Sequence, residues 1–142
     1  FSSEIEFELK YRIKMNKLII DAASEKIFLM IISNGIIYNI THENTKINCE
    51  KLTIIIDDFL SSKNIKITDI NGIYINQGSG SFAGIRNSMS VVKAFNVVRN
   101  IDYYCYNLKD FKDEKDLRHE NIPNLCKKHK IKKNLINPVY LS

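Results

Sequence analysis

The chain has 142 residues, 44% of them apolar and 26% charged, which suits one domain with a core of its own. Its net charge of +5 is unevenly placed: residues 109–142 hold nine Lys/Arg against five Asp/Glu, residues 1–108 twelve against eleven. No apolar run approaches the ~18 residues of a membrane span. No leader-like apolar stretch stands at the start, and the three cysteines, Cys49, Cys105 and Cys126, lack C-x-x-C spacing. A disulfide frame, a cysteine zinc site and a membrane partner are thereby disfavoured, and reduced thiols in a cytoplasmic protein are expected.

In chain order, residues 4–13 alternate polar and apolar, with Ile5, Phe7, Leu9, Tyr11 and Ile13 on one side, the period of a strand. This stretch precedes Met15, a candidate natural start, so residues 1–14 are assigned to an extension. Lys17 to Ala22, Ile27 to Ile32 and Ile36 to Thr41 are three further strands, the last two joined by the hairpin signal Asn34-Gly35. Over 46–62 the period changes: Leu52, Ile55, Ile56, Phe59 and Leu60 share one helical face, with Thr45 or Asn48 as cap. Ile70 to Ile75 is a short apolar run that reads as a buried strand, entered through the turn Thr68-Asp69-Ile70-Asn71-Gly72. Ile85 to Val98 is a helix with two apolar stripes, Phe82/Ile85/Met89/Val92 and Val91/Phe95/Val98, about 110° apart. Ile101 to Tyr106 is a last strand. Beyond Leu108 periodicity fades, and residues 109–142 read as a basic tail or cover with one short helix at 121–130. The predicted core is α/β, with a meander of strands followed by helix, strand, helix and strand.

Between the Ile70–Ile75 strand and the following helix lies Asn76-Gln77-Gly78-Ser79-Gly80-Ser81-Phe82-Ala83-Gly84-Ile85-Arg86-Asn87. Three residues part Gly80 from Gly84, one more than a dinucleotide fingerprint allows, and no lysine stands where a P-loop needs it. By pattern alone it is a tight turn with close helix–strand packing. Taken whole, it resembles the Gly-Pro-Gly-Ser-Phe-Thr-Gly-x-Arg signature of the TsaB (YeaZ) family, with Gly78, Gly80, Ser81, Phe82, Gly84 and Arg86 matching, Ser79 in place of proline and Ala83 in place of threonine. Ile20-Asp21-Ala22-Ala23 resembles that family's Ile-Asp-Thr-Ser. Asn48-Cys49-Glu50 keeps only the glutamate of its His-Ser-Glu. Pro138-Val139-Tyr140-Leu141 is similar to its Pro-x-Tyr-Leu-Arg end, with Ser142 for the arginine.

The resemblance implies an actin-like/ribonuclease H-like half domain over residues 15–108: a mixed five-stranded sheet, antiparallel meander plus parallel strands, with two main helices. Residues 109–142 would replace the family's second domain. It further implies a non-catalytic subunit that holds a TsaD-like subunit in threonylcarbamoyladenosine modification of tRNA. A TsaE-like ATPase is a further partner, and a homodimer is expected when the chain is alone. No cofactor is expected, and ATP or ADP would be held only at a partner interface.

Two other classes compete. One is a small ATP-binding or phosphotransferase enzyme of the actin-like fold, in which Asp21, Gly78, Gly80 and Ser81 would face a phosphate. Against it, Asp21 is followed by two alanines and also reads as a strand-end turn residue bonding its own backbone. The three histidines, His42, His119 and His129, lack the His-x-x-x-His metal spacing of the related TsaD, and carboxylates at the strand ends are too few for two-metal chemistry. The other class is a tRNA-binding module acting through Lys127, Lys128, Lys130, Lys132 and Lys133. That run lacks interleaved aromatics and reads equally as a solvated face. Arg86 reads either as an anion or partner contact or as a solvated ion pair. Because one helix stripe suffices to pack on a sheet, the spare groups Ile47, Ile54, Val91, Phe95 and Val98 are the expected partner interface. The alternative is that residues 109–142 fold back over the second stripe.

Overall fold

The computed structural model describes residues 15–78 and 82–136, excluding the Phe82 side chain. The expected strand over 4–13, the motif residues Gly80 and Ser81, and the closing Pro138 to Ser142 lie outside these residues. Among the described residues, five strands form one sheet in the order β3-β2-β1-β4-β5: β1 is Asn16–Asp21, β2 Lys26–Ser33, β3 Ile36–Glu43, β4 Ile70–Asn76 and β5 Tyr103–Tyr106. β1, β2 and β3 pair antiparallel, and β1–β4 and β4–β5 pair parallel. Asn34 and Gly35 both adopt positive φ, 51° and 83°, the backbone of a type I′ turn whose twist matches the strands it joins.

The helical segment over 46–62 divides in two. α1, Lys46–Glu50, and α2, Leu52–Ser62, meet at Lys51, which leaves helical geometry at φ −95°, ψ 12°. Thr45 caps α1, its hydroxyl accepting from the Asn48 N–H at 3.1 Å. The break lets each piece meet a different demand. The Cys49 thiol of α1 lies 3.1 Å from Asn44 Oδ1, while Leu52, Ile56, Phe59 and Leu60 of α2 turn into the core. Asn64, at φ 57°, ends α2 in a left-handed turn that returns the Ile65 N–H to the Leu60 carbonyl. The longest helix, α3, is Phe82–Arg99. Asn100 (φ 56°) closes it, and Ile101 and Asp102 are used in the exit, so β5 begins two residues later than the apolar run suggests.

α1, α2 and α3 cover one face of the sheet. Leu18, Ile20, Leu29, Ile31, Ile73, Ile75, Tyr103 and Cys105 point into this layer and meet Leu52, Ile56, Phe59, Ile85, Met89 and Val92. The alternate residues Ile19, Met30, Tyr74 and Tyr106 point to the other face. Residues 108–131 close that face through a 3-10 turn at Leu108–Phe111, a second at His119–Asn121, and the helix α4, Ile122–Lys128. Phe111, Ile122, Leu125 and Cys126 form their own cluster with the outward-facing strand residues. Among the described residues of the C-terminal segment, Phe111, Ile122, Leu125, Cys126 and Ile131 pack on this outer face of the sheet, while Ile136 reaches the helical-layer cluster to which Val91 and Phe95 of α3 also belong. All three cysteines are free and buried, and burial pushes the Cys105 and Cys126 thiols up to about 12. No helix among the described residues is long and apolar enough to cross a membrane.

Phe111 decides between a solvated tail and a structural cover, because its side chain is fully buried against Tyr106 at a ring separation of 5.8 Å. Phe111→Ala is expected to lower stability by about 3–5 kcal/mol, the cost of truncating a core aromatic, in urea unfolding. A change within about 0.5 kcal/mol would mark the segment as surface.

Candidate functional site

The sheet register places one row of side chains across the outer face at the carboxyl ends of β1, β4 and β5 and the adjoining amino end of the antiparallel β2. Asp21 pairs with Phe28, Ile20 with Ile75, and Asn76 with Tyr106. Since successive strand residues alternate between faces, Phe28, Asp21, Asn76 and Tyr106 follow one another across β2, β1, β4 and β5. β1 is also where the chain order reverses, with the hairpin to one side and the crossover to β4 on the other. The carboxyl ends of the strands at such a reversal are the general ligand position of open α/β sheets.

Asp21 holds the centre of the row. Its Oδ1 accepts from the Ala23 N–H at 3.1 Å and from Asn76 Nδ2 at 3.3 Å. Its Oδ2 lies 2.8 Å from His119 Nε2. Burial pulls the carboxyl pKa upward, but the bonds from His119, Ala23 and Asn76 outweigh it and hold the group below its ordinary value. A carboxylate only accepts, so Nε2 carries the shared hydrogen. His119 also stacks on Phe28 at a centroid distance of 4.1 Å. Thus both residues of the β1–β2 pair that face outward at this end grip the same imidazole. Next in the row, Asn76 Oδ1 accepts from the Gly78 N–H at 2.8 Å. The Tyr106 hydroxyl is buried with no hydrogen-bond partner among the described residues, and burial together with the nearby Asp21 charge drives its pKa well up.

Gly84 explains the end of the glycine-rich stretch. A Cβ there would sit 2.8 Å from the Ala22 carbonyl oxygen and 2.9 Å from the Asn44 amide. Asn44 is itself fixed, donating to the carbonyls of Ala22 at 2.9 Å and Ser24 at 2.7 Å. The first turn of α3 is thereby pressed against the loop that carries Asp21. Ser88 Oγ donates to the Gly84 carbonyl at 2.7 Å from the next turn of the helix.

The remaining predicted residues are dispersed. Arg86 is exposed on α3, and Glu50 is exposed at the end of α1. Ile47 and Ile54 are exposed on α1 and α2. Val91 and Phe95 of α3 are half-buried against the helical-layer core, and Val98 is exposed. The five lysines are exposed at α4 and beyond, where Lys128 pairs with Glu114 at 2.8 Å and Lys133 approaches Asp102 at 3.7 Å. His129 shares Glu114 at 2.7 Å; the bonds from Lys128 and His129 hold that carboxyl below its usual range. Among the described residues no three His, Cys, Asp or Glu side chains gather as a metal site, and no serine or cysteine hydrogen-bonds His119. Sequence reading singled out Asp21 but missed Phe28, Asn76 and His119. Counting period-2 positions to the end of each strand could have found the first two; nothing local to His119 announces its partner 98 positions away.

Two expectations follow from this geometry. Gly84→Ala forces backbone against backbone and should cost about 1–3 kcal/mol in urea unfolding, more than the roughly 0.5 kcal/mol typical of an unconstrained surface change. For Asp21, a carboxyl depressed in the folded state contributes stability that is complete above the unfolded value and disappears as pH falls through the folded one. The stability gap between the wild-type chain and Asp21→Asn should therefore be widest above about pH 5 and shrink toward about pH 3, as read from urea melts across that range.

No family model matches the chain, and no curated protein matches its sequence. Solved structures do match its fold. YeaZ from Pseudomonas aeruginosa superposes with a TM-score of 0.60 at 16% identity, over 66% of this chain and 44% of that one. A second structure, described as an uncharacterized protein with similarity to peptidase YeaZ from Pseudomonas aeruginosa, matches with the same score and identity over 66% of this chain and 43% of its own. The chain spans less than half the length of these structures. It has the actin-like/ribonuclease H-like fold of the YeaZ half domain, a mixed five-stranded sheet with α1 to α3 laid on one face and the parallel strands β1, β4 and β5 together at one side.

Proposed function

We propose that this chain is a TsaB-like, non-catalytic subunit that holds a TsaD-like protein in threonylcarbamoyladenosine modification of tRNA. Two independent likenesses support the family: the fold match to YeaZ and the Gly78–Arg86 stretch of the sequence. The observation that carries the binding role is the spare apolar surface of the helical layer. Ile47 and Ile54 are 63% and 60% exposed, and Val97 and Val98 are 82% and 71% exposed. Between α2 and α3 runs an apolar groove of about 210 Å³, lined by Thr53, Ile54, Ile56, Asp57, Leu60, Ile67 and Phe95. Large aliphatic groups kept in water on neighbouring helices favour a helical partner that would bury them. Phe95 and Ile54 line this groove, Val91 is half-buried against the core, and Val97 and Val98 are exposed on α3.

The non-catalytic role is supported by the state of Asp21, whose carboxylate is taken up by protein hydrogen-bond donors. tRNA is reached through the assembled complex, with the exposed lysines of α4 as peripheral phosphate contacts. A homodimer through the same helices is the state of the chain without its partner. The cytoplasm is the compartment in which this chemistry and three free thiols fit together.

Ile54→Glu and Val98→Glu test the surface. Both side chains are exposed, so the variants should melt within a few degrees of the wild type. Full burial of each aliphatic group is worth roughly 1.5–3 kcal/mol, so affinity for the TsaD-like subunit should fall about ten- to a hundred-fold per variant in a titration. Unchanged affinity in both would remove the helical layer as the interface.

A further inference from the structure

Residues 112–121 run between two fully buried anchors, Phe111 and Ile122, and are themselves charged and largely exposed. Within this span Arg118 bonds its own neighbours, Asp116 at 2.7 Å and Glu120 at 3.7 Å. Glu114 reaches back to Lys128 and His129 of the cover. Among the described residues, His119 is the member of the span that hydrogen-bonds outside the cover, to Asp21 of β1, and it stacks on Phe28 of β2. Beneath it the ends of β4 and β5 are closed: Asn76, Gln77 and Asn107 are all buried. The general ligand position of the sheet is thus occupied by a side chain of the same molecule.

We propose that residues 112–121 are a strap that closes the strand-end junction and that His119 is its latch. The anchors hold the strap at both ends through apolar burial; between them Glu114 ties it to Lys128 and His129 of the cover, and His119 ties it to the sheet by one hydrogen bond and one ring stack. Release of the strap from the sheet therefore turns on the His119 contacts and leaves Phe111, Ile122 and Leu125 seated. Such an element opens at a small fraction of the global unfolding cost. When it opens, the Asp21 carboxylate and the Asn76 amide are the groups uncovered. The latch rests on this geometry and not on the TsaB-like reading.

The test uses thiol labelling of an Asn76→Cys chain, with and without His119→Ala, by a small methanethiosulfonate reagent. The native thiols are all buried, and Cys126 lies under the anchored part of the cover, so it reports whether more than the strap has moved. The expected result is labelling at position 76 several-fold faster in the His119→Ala background, with the Cys126 rate unchanged. Equal rates at position 76, or equal acceleration at Cys126, would overturn the latch. Should Asn76→Cys not fold, limited trypsinolysis decides with Asn76 intact, since Lys112, Lys115 and Arg118 are exposed on the strap. Cleavage after these residues should quicken several-fold in His119→Ala, and an unchanged rate would sink the proposal.

Discussion

The structure depends on two neighbouring parallel strands that are apolar on both faces. Leu18-Ile19-Ile20 of β1 and Ile73-Tyr74-Ile75 of β4 show no polar alternation, and all six residues are buried. A strand of this kind cannot leave either face in water, so the sheet needs two covering layers. The helices α1 to α3 provide one. The C-terminal segment provides the other, with Phe111, Ile122, Leu125 and Cys126 placed where Ile19, Met30, Tyr74 and Tyr106 would otherwise be exposed. The edge strand β3 is under no such demand, and its outer residues alternate toward solvent.

Covering the outer face has a consequence at the strand ends. Register brings Asp21 into the same row as Phe28, Asn76 and Tyr106, and the cover then lies over that row. A carboxylate drawn out of water needs hydrogen-bond donors to remain charged. Ala23, Asn76 and His119 meet that need, and His119 ties the cover to the body of the domain in doing so. One carboxylate thus serves local turn, sheet and cover together. Gly84 sharpens the arrangement from the helical side, because its missing side chain lets the start of α3 rest on the Ala22 carbonyl one residue beyond Asp21.

The two layers are unequal in what they leave exposed. Over the outer face the cluster is sealed by exposed charged residues of the cover, several of them paired with one another. On the helical side α2 packs with Leu52, Ile56, Phe59 and Leu60 but leaves Ile54 in water, and α3 packs with Ile85, Met89 and Val92 but leaves Val97 and Val98. This asymmetry is why the proposed partner is assigned to the helices and the proposed latch to the opposite face.

Much of the half domain was legible in the sequence because its signals are local. Asn34-Gly35 dictates a turn whose φ angles are both positive. Leu52, Ile56, Phe59 and Leu60 dictate a helix face, and the order of strands and helices carries the topology. The apolar run ending at Ile73-Tyr74-Ile75 was legible as a buried strand. Which segment supplies the second cover was not legible, because residues 108–131 are two short 3-10 turns and one seven-residue helix, with apolar groups too irregularly spaced to show a period. The split at Lys51 was hidden because no helix breaker stands there; α1 is anchored separately from α2, by Thr45, by Asn48 on the Glu43 carbonyl and by Cys49 on Asn44. The site divides in the same way. Asp21 was visible as a polar residue closing an apolar strand, and Gly84 as part of a motif. The meeting of Asp21 with Asn76 and His119 was decided by tertiary structure alone, because strand register and the return of the chain across the sheet join residues that lie 55 and 98 positions apart.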